Sequence, residues 1–497
     1  PQIKKENKTT KTLNIGLLGV LTKHKGGTIV AELAEKIERE NLDVRIKLIG
    51  TSCVDINSPV FSQTGAYTRG AIPRLTLEND IDVFLIPSIW PETFSYTTEE
   101  IMKMGMPIMC FDIGAPAERV KKYEKGIIIP AISAESVYQT IRDNQIVKES
   151  TDKKVNSQKV LFVVQEVTFS SRYRIDHLRE QLIRKGISSD CVSIKDTKKC
   201  DLKAYNSIVV YRISEYEKLK KLKSKAKKLN MQVFYDIDDY IFNYQAIKDI
   251  GFLKGKEYRN YENYTEQIRN CMEICDGYIV STLSLKKVIK EQFPGKVVVV
   301  NRNVASMEMV IASLTVEKVH KDNITIGYFS GTKTHNDDFE SIKDELLSVM
   351  QKNENIHLLV AGQIELPAEF NAVKDQVETF KFVSWQELPH LIAKADINLM
   401  PLENSIFHEC KSENKWMEAA LVNVPTIASR NSELASVIRD GEDGFLCKNS
   451  EEWAEKLNKL IRDESLRNQI ASSAHARIMK EYMTDDMEME TLRAILK

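Results

Sequence analysis

The sequence lacks the features that mark several large classes of protein. No stretch approaches 18 consecutive apolar residues, so we expect no transmembrane helix. Neither sign of charge dominates, because 70 Lys and Arg stand against 71 Asp and Glu, and a dedicated nucleic-acid-binding protein would be more basic. None of the eight cysteines forms a CxxC pair. We therefore expect no zinc site, and reduced cysteines in a cytoplasmic protein.

The first residues do not include an initiating methionine, and we expect no signal peptide in them. They read PQIKKENKTTK, a polar stretch without an apolar core. We expect the chain to be a fragment or a processed protein, with an upstream part absent.

The composition that is present is that of an ordinary globular protein, with 42% hydrophobic and 28% charged residues in 497. At roughly 150 residues per domain, this length predicts about three domains. Short apolar runs alternate with helical patterns, which predicts an α/β fold with parallel sheets covered on both faces. We predict three Rossmann-like domains, at 12–145, 155–312 and 320–497, with a polar linker at 145–157.

Two of these domains are predicted to be copies of one another. Intervals of five, seven and nineteen residues between acidic, proline and glycine positions recur in the same order in the first and third domains. The matching pairs are Asp82 to Pro87 and Asp396 to Pro401, Glu100 to Pro107 and Glu418 to Pro425, and Pro107 to Gly126 and Pro425 to Gly444.

The first domain carries two glutamates after a strand that ends at a proline. Residues 86–100 read IPSIWPETFSYTTEE, with Glu92 in the loop and Glu100 on the following helix. Here, and at 104–120 (MGMPIMCFDIGAPAERV), the sequence resembles the retaining glycosyltransferases of the GT-B fold, of the glycogen-synthase and mannosyltransferase type. The resemblance implies that Glu100 holds the nucleotide ribose and that Glu92 lies near the transferred sugar.

Two other interpretations of this glutamate pair remain open. One is a solvated helix face with charges at its N-terminus. The other is a glycosidase, although eight helical residues would separate the two carboxylates by roughly 12 Å, against about 5–9.5 Å in glycosidases.

The third domain carries a divergent version, SIFHECKSENKWMEAA at 405–420. Its Glu418 aligns with Glu100, whereas the first glutamate has no counterpart, since position 410 is cysteine. The KS-x2-K-x2-E pattern is similar to a subgroup of bacterial cell-surface glycosyltransferases. Because a lysine and a helix N-terminus can neutralise phosphate, Lys411 and Ser412 are candidate diphosphate contacts. Lys415 and Glu418 either belong to this site or form a surface i,i+3 pair.

The loop after the first strand of each copy is a candidate phosphate-binding loop. In the third domain it contains Gly331 and Lys333, and in the first it contains Lys25 and Gly26, at the family's usual Lys-Gly position. Glycines let a backbone approach a diphosphate and a lysine supplies charge. We expect His335 either to donate to the leaving phosphate or to cap the next helix.

The middle domain offers three further candidates. The loop with Arg172, Tyr173 and Arg174 is predicted to face the interdomain cleft and to contact acceptor or donor phosphate. The run FYDIDDYIF at 234–242 invites a metal site at its aspartates, but the resemblance implies an acceptor domain without metal. Residues 217–229 carry seven lysines and predict either a solvated helix or a surface that docks on anionic membranes.

These observations predict a glycosyltransferase whose last two domains form a GT-B fold, with a final helix that crosses back onto the middle domain. The expected reaction is metal-independent, retaining transfer from a nucleotide sugar to a glycan or lipid-linked acceptor in bacterial surface polysaccharide synthesis, without a resident cofactor. We place the reaction beside Glu418, Lys411 and His335, in a cytoplasmic protein that associates peripherally with the inner face of the plasma membrane. The alternative is a degenerate scaffold that binds nucleotide sugars and partners an active glycosyltransferase.

Overall fold

Three parallel β-sheets of six strands each organise the chain. The computed structural model describes residues 12–67, 72–92, 95–143, 158–167, 170–185, 187–247, 255–314, 316, 323–331, 336–484 and 489–496. The predicted linker lies outside these residues. Contacts divide the chain into an N-terminal unit, Pro1–Asn156, and a second unit, Ser157–Lys497.

The N-terminal unit holds the first sheet. Its strands are β1 (Leu13–Leu21), β2 (Val44–Ser52), β3 (Phe61–Gln63), β4 (Val83–Ile86), β5 (Ile108–Phe111) and β6 (Gly126–Ile129), in the order β3-β2-β1-β4-β5-β6. Its helices are α1 (Gly27–Arg39), α2 (Ile72–Glu78), α3 (Tyr96–Lys103), α4 (Gly114–Val120) and α5 (Ala134–Asp143).

The second unit contains two sheets, and we call the structure around each a lobe. The middle lobe has β7 (Lys159–Val164), β8 (Ser188–Ser193), β9 (Ser207–Tyr211), β10 (Gln232–Ile237), β11 (Gly277–Val280) and β12 (Val297–Val300), ordered β12-β11-β10-β9-β7-β8. The C-terminal lobe has β13 (Ile324–Ser330), β14 (Ile356–Gly362), β15 (Val377–Phe380), β16 (Ile397–Met400), β17 (Thr426–Ser429) and β18 (Phe445–Cys447), ordered β15-β14-β13-β16-β17-β18.

The helices of the second unit cover both of its sheets. They are α6 (His177–Arg184), α7 (Tyr216–Lys228), α8 (Tyr244–Ile247), α9 (Gly255–Glu273), α10 (Leu283–Gln292), α11 (Met307–Leu314), α12 (Asn336–Glu340), α13 (Lys343–Gln351), α14 (Leu388–Ile392), α15 (Ile406–Glu409), α16 (Asn414–Leu421), α17 (Ser432–Val437), α18 (Ser450–Arg462), α19 (Glu464–Glu481) and α20 (Met489–Ile495). The α/β class with three Rossmann-like sheets is confirmed. Among the described residues, no helix is long and apolar enough to cross a membrane.

The first and third sheets repeat one strand order, whereas the middle sheet has another. The repeat extends to single contacts. The Asp82 carboxylate accepts the backbone N–H of Asn14 at 2.9 Å, and Asp396 accepts that of Thr325 at 2.8 Å. The aspartate that begins the first of the matching intervals therefore joins the first strand of each sheet to the start of its fourth.

Apolar packing at two places contributes to the joint between the two lobes of the second unit. Phe407 and Cys410, on and just after α15 of the C-terminal lobe, are buried in the apolar core of the middle lobe. At the other place α20 packs on the middle sheet, where the Thr491 hydroxyl donates to the Val300 carbonyl at 2.6 Å and Ile495 is fully buried. This packing sets the opening between the lobes.

The close approach of β13 to β14 generates a stability prediction. Gly362 has φ of +115°, and a Cβ there would lie 1.6 Å from the Ser330 carbonyl oxygen. Gly295 also has positive φ, +81°, but nothing lies within 4 Å of its added Cβ. We expect Gly362→Ala to cost about 2 kcal/mol more stability than Gly295→Ala, because overpacking adds to backbone strain. Urea denaturation would measure both, and equal losses would contradict this account.

Candidate functional site

A cleft of about 340 Å³ opens at the carboxyl ends of β13 and β14, and both lobes of the second unit line it. Ligands of open parallel sheets bind at this edge, next to the strand where the order reverses. The middle lobe contributes Ser170, Arg172, Tyr173 and Asp238. The C-terminal lobe contributes Phe329, Ser330, Gly331, Ala361, Gly362, Phe382, Val383, Ser384, Trp385, Leu388, Asn414, Lys415 and Glu418.

Buried polar atoms without a hydrogen-bond partner surround this cleft. Within the described part of the chain they are Nε and Nη1 of Arg172, Oδ1 of Asn414 and Nζ of Lys415. Native proteins satisfy almost all such atoms, so each one needs an explanation. Three of these four atoms are donors on cations, so a bound anion would satisfy them.

The two cations are held against aromatic rings. The Arg172 guanidinium lies 4.4 Å from the ring centroid of Trp385, and Lys415 Nζ lies 4.4 Å from that of Tyr328. Burial lowers the pKa of Lys415 to about 8. In the described structure no ion pair joins Lys415 to Glu418, so the surface-pair interpretation does not describe these residues. Their i,i+3 spacing on α16 instead directs both side chains to the cleft.

Glu418 is held from the opposite lobe. The Tyr173 hydroxyl donates a hydrogen bond to Glu418 Oε1. Burial raises the pKa of Glu418, and the Tyr173 hydrogen bond and the charges of Arg172 and Lys415 oppose that rise. A half-buried carboxylate therefore faces the same cleft as the two cations.

Lys411 and Ser412 contact the middle lobe. Lys411 Nζ lies 3.0 Å from Asp239 Oδ1, and the Ser412 hydroxyl accepts from Asn303 Nδ2 at 3.2 Å. The sequence predicts both at the diphosphate, whereas here they join the two lobes.

The prediction that Arg174 faces the cleft is wrong. Its side chain is 0% exposed, and its guanidinium donates to both carboxylate oxygens of Asp236, at 2.7 and 2.9 Å. It also donates to the Asn301 carbonyl at 2.6 Å and to Asn303 Oδ1 at 3.0 Å. These four hydrogen bonds all lie inside the middle lobe, so Arg174 is structural, whereas its neighbours Arg172 and Tyr173 line the cleft.

The aspartates at the end of β10 and just after it, Asp236, Asp238 and Asp239, are all paired with cations. Asp236 is bound to Arg174, and Arg212 reaches Asp238 at 2.7 Å and Asp239 at 2.6 Å. In the ranges described above, no group of three or more His, Cys, Asp or Glu side chains is placed to hold a metal ion. These aspartates therefore act as partners of arginine.

Cys410 and Glu409, which directly precede the KS-x2-K-x2-E pattern, are engaged away from the cleft. Cys410, at the position of the family's first glutamate, is 1% exposed in the middle-lobe core. The Glu409 carboxylate accepts the backbone N–H of Ser432, the first residue of α17, at 3.1 Å. Gly331 lines the cleft, while Lys333 and His335 lie outside the described residues.

The N-terminal unit has a much smaller opening at the equivalent edge of its sheet. Lys25 and Glu92 line a cavity of only about 30 Å³ together with Ser88 and Thr97. Glu92 lies in the loop before α3, as predicted, and its carbonyl accepts the N–H of Ala115 at 2.9 Å.

The two glycine-bearing turns of this unit are tightly packed. A Cβ on Gly26 would lie 1.9 Å from the Pro87 carbonyl oxygen. The side chain of Glu100 on α3 is 8% exposed. The predicted residues Lys25, Gly26 and Glu92 are therefore brought together, around a space far smaller than the cleft of the second unit.

Sequence reasoning missed part of the site. Phe382 and Trp385 form an apolar wall after β15, and Asn414 begins α16 beside Lys415. Two aromatic residues in a polar loop, FVSW at 382–385, were the available signal. The contact of Tyr173 with Glu418 joins residues 245 positions apart and has no local signal.

Comparisons with known proteins identify two segments of the chain. Residues 1–153 and residues 323–463 each match a family described as glycosyl transferases group 1. The capsular polysaccharide biosynthesis glycosyltransferase CapM of Staphylococcus aureus is 25% identical over 178 residues, which are 33% of this chain and 45% of CapM. The chain thus matches less than half the length of that relative.

The chain is also similar to solved structures. HepE of Anabaena in complex with UDP and glucose is 15% identical, with a TM-score of 0.45 over 68% of this chain and 99% of that one. A glycosyltransferase of Rickettsia africae is 13% identical, with a TM-score of 0.49 over 68% of this chain and 98% of that one. TarM is 15% identical, with a TM-score of 0.44 over 61% of this chain and 57% of that one.

The structural assignment of Arg174 can be tested by stability. Replacing Arg174 with Met leaves the Asp236 carboxylate buried without a counter-charge, so we expect a loss of about 3–5 kcal/mol in the free energy of unfolding. The double variant Arg174→Met/Asp236→Ala should be more stable than Arg174→Met alone, because the orphaned charge is gone. Urea denaturation monitored by circular dichroism would measure this, and additive losses would contradict the ion-pair account.

Proposed function

The chain belongs to the group 1 glycosyltransferases of the GT-B fold, and we propose that its second unit transfers a sugar from a nucleotide-sugar donor to a glycan or lipid-linked acceptor. The observation that carries this proposal is the set of buried, unsatisfied donors on Arg172 and Lys415, which face one cleft beside Glu418. A nucleoside diphosphate would supply an anion for Arg172 and Lys415 and ribose hydroxyls for the Glu418 carboxylate.

In this proposal the diphosphate lies between Arg172 and Lys415, near the N-terminus of α16. That position adds backbone N–H groups and the positive end of the helix dipole. Glu418, one turn further along α16, accepts a ribose hydroxyl. Lys411 and Ser412 would have to leave Asp239 and Asn303 to reach the phosphates, so we assign them to the joint between the lobes.

The chemistry that follows needs charge stabilisation and positioning. Departure of the diphosphate develops negative charge, which the fixed cations of the cleft stabilise. We propose that these cations replace a divalent metal and that transfer retains the anomeric configuration. The middle lobe, which supplies Tyr173 and Asp238 to the cleft, would present the acceptor. The match to a capsular polysaccharide enzyme supports an acceptor in bacterial surface polysaccharide synthesis.

We assign catalysis to the second unit and not to the N-terminal unit. The cleft of about 340 Å³ suits a nucleotide sugar, whereas the cavity of about 30 Å³ beside Lys25 and Glu92 holds little more than a water molecule. Glu100 has the better sequence motif, yet transfer requires donor and acceptor to be held together.

Donor binding tests this assignment. Lys415→Met and Glu418→Gln should each weaken binding ten- to a hundred-fold, because each removes a charge-assisted contact of about 1.5–3 kcal/mol. Glu100→Gln, the matched change in the N-terminal unit, should leave binding unchanged. Calorimetry with UDP-glucose, UDP-N-acetylglucosamine and GDP-mannose, in buffer with a chelator, would measure this.

The same titrations should depend on pH. Lys415 binds an anion only when protonated, so affinity should fall as pH rises through about 8, and Lys415→Met should abolish that fall. Loss of binding in Glu100→Gln but not in Glu418→Gln would move the donor site to the N-terminal unit. Binding without transfer to any acceptor would favour the scaffold function. A strict requirement for metal would refute metal independence.

We further propose that the second unit docks on anionic membranes through α7. Leu219, Leu222 and Ala226 of this helix are buried against the middle sheet, so the lysines lie on its outer side. Together with the loop after β8 they line an open cavity of about 640 Å³. The lysines around it are Lys195, Lys198, Lys218, Lys220, Lys221 and Lys225. A surface of this kind attracts anionic lipid headgroups.

Membrane docking is tested by charge reversal. Changing Lys220, Lys221, Lys227 and Lys228 to Glu should weaken binding to phosphatidylglycerol vesicles at least about tenfold, since each basic residue near such a surface contributes about 1 kcal/mol. In the control variant, four exposed lysines of the C-terminal lobe are changed to Glu, and it should bind like the wild type. These are Lys352, Lys374, Lys394 and Lys448. Co-sedimentation would measure both, and equal binding by all variants would leave α7 as a solvated helix.

A further inference from the structure

Tyr173 lies at the point where the middle lobe meets Glu418. It belongs to a π-helical turn, Arg172–Asp176, between β7 and α6. Such turns are rare and often occur at functional sites. The turn places the phenol opposite α16 of the other lobe, where its hydroxyl donates to Glu418 Oε1. One hydrogen bond thus connects the acceptor-side lobe to the predicted ribose contact.

The phenol ring is held firmly in this position. Tyr173 is 8% exposed, and its ring packs edge-on against His177 at a centroid distance of 5.0 Å. The Arg172 guanidinium lies 4.8 Å from the centroid of the same ring. The direction of the hydroxyl is therefore fixed by packing before any ligand binds.

We propose that Tyr173 is a positioning residue that keeps the Glu418 carboxylate ionised and aimed at the donor ribose. This deepens the proposed function and rests on it. Tyr173 uses Oε1, so Oε2 remains available to accept a ribose hydroxyl. A tyrosine hydroxyl donates more strongly to a carboxylate than to a carboxylic acid, so the contact favours the ionised form.

The surroundings of Glu418 explain why such help is needed. Burial raises its pKa, and only Tyr173, Arg172 and Lys415 oppose that rise among the described groups that act on it. The other elements against α16 present apolar side chains from α14 and the polar hydroxyl of Ser313 from α11. His475 of α19 contacts the helix at the Ala420 carbonyl, at 3.0 Å. The two cations would be partly neutralised by a bound diphosphate, whereas the Tyr173 hydrogen bond would remain.

The first experiment needs no ligand. The free energy of unfolding is measured by urea denaturation between pH 5 and pH 9 for the wild type, Tyr173→Phe, Glu418→Gln and the double variant. We expect the cost of Tyr173→Phe to be largest at high pH and to shrink as pH falls and Glu418 becomes protonated. In the Glu418→Gln background the cost should not vary with pH. A cost that is equally independent of pH in both backgrounds would overturn the proposal.

The second experiment measures the consequence for donor binding, with calorimetry of UDP-glucose, UDP-N-acetylglucosamine and GDP-mannose over the same pH range. Tyr173→Phe raises the pKa of Glu418 further, so binding should be lost on acidification at a higher pH than in the wild type. The alkaline loss, which Lys415 sets, should stay where it is. Tyr205→Phe is the matched control, because it deletes a hydroxyl that donates to Asp190 at 2.6 Å elsewhere in the middle lobe.

The two experiments separate the possible failures. If no nucleotide sugar binds the wild type, the proposed function fails, and the pH-dependent stability cycle still decides whether Tyr173 controls the ionisation of Glu418. If donors bind and Tyr173→Phe leaves the acid limb of the binding profile unmoved, the positioning role is refuted while the donor site stands.

Discussion

The buried ion pair between Arg174 and Asp236 is the interaction on which the cleft depends. Arg174 extends from the π-helical turn and reaches Asp236 at the end of β10 and Asn301 just beyond β12. A charge that is 0% exposed can stay ionised only if its partners are fixed, so this pair pins the turn to the carboxyl edge of the middle sheet. The two residues before the pinned position, Arg172 and Tyr173, are thereby presented to the cleft.

The hydrogen bonds of Arg174 also lead to the C-terminal lobe. Arg174 also donates to Asn303 Oδ1, and the amide nitrogen of Asn303 donates to Ser412 just before α16. Lys411 reinforces this joint through Asp239, and Arg302 bridges to Glu413 at 3.4 Å and to Glu433 at 2.9 Å. The residues just before α16 are therefore held by paired charges, while Lys415, in the first turn of α16, has no hydrogen-bond partner. Paired charges position the cleft, and donors without a hydrogen-bond partner on Arg172 and Lys415 line it, as expected where function overrides stability.

The sequence predicted the fold well and the site only in part, for reasons that particular residues make clear. Apolar strands such as Ser207–Tyr211 are buried over their whole length, and their composition identifies them. The short edge strands Phe61–Gln63 and Val377–Phe380 have no such run and were missed. Arg172 and Arg174 are two residues apart and chemically identical, and only the three-dimensional position of Asp236 decides which of them is buried. The i,i+3 spacing of Lys415 and Glu418 did indicate that they share one face of α16. Lys411 precedes the helix, and its side chain reaches Asp239 of the middle lobe instead.

Comparing the first and third sheets separates the residues that form the carboxyl edge of each sheet from the residues that line the opening there. Both sheets have the aspartate that joins the first strand to the fourth. Both also have a glycine, Gly50 or Gly362, at the point where the second strand lies closest to the end of the first. The residues that differ are those at the opening. The N-terminal unit has both glutamates of the pattern, but only Glu92 lines its cavity of about 30 Å³. The C-terminal lobe has cysteine at the first of these positions, yet shares a cleft of about 340 Å³ with the middle lobe. Since backbone geometry can persist without a ligand, whereas a bound anion would satisfy the buried donors of Arg172 and Lys415, the divergent lobe is the better candidate for the donor site.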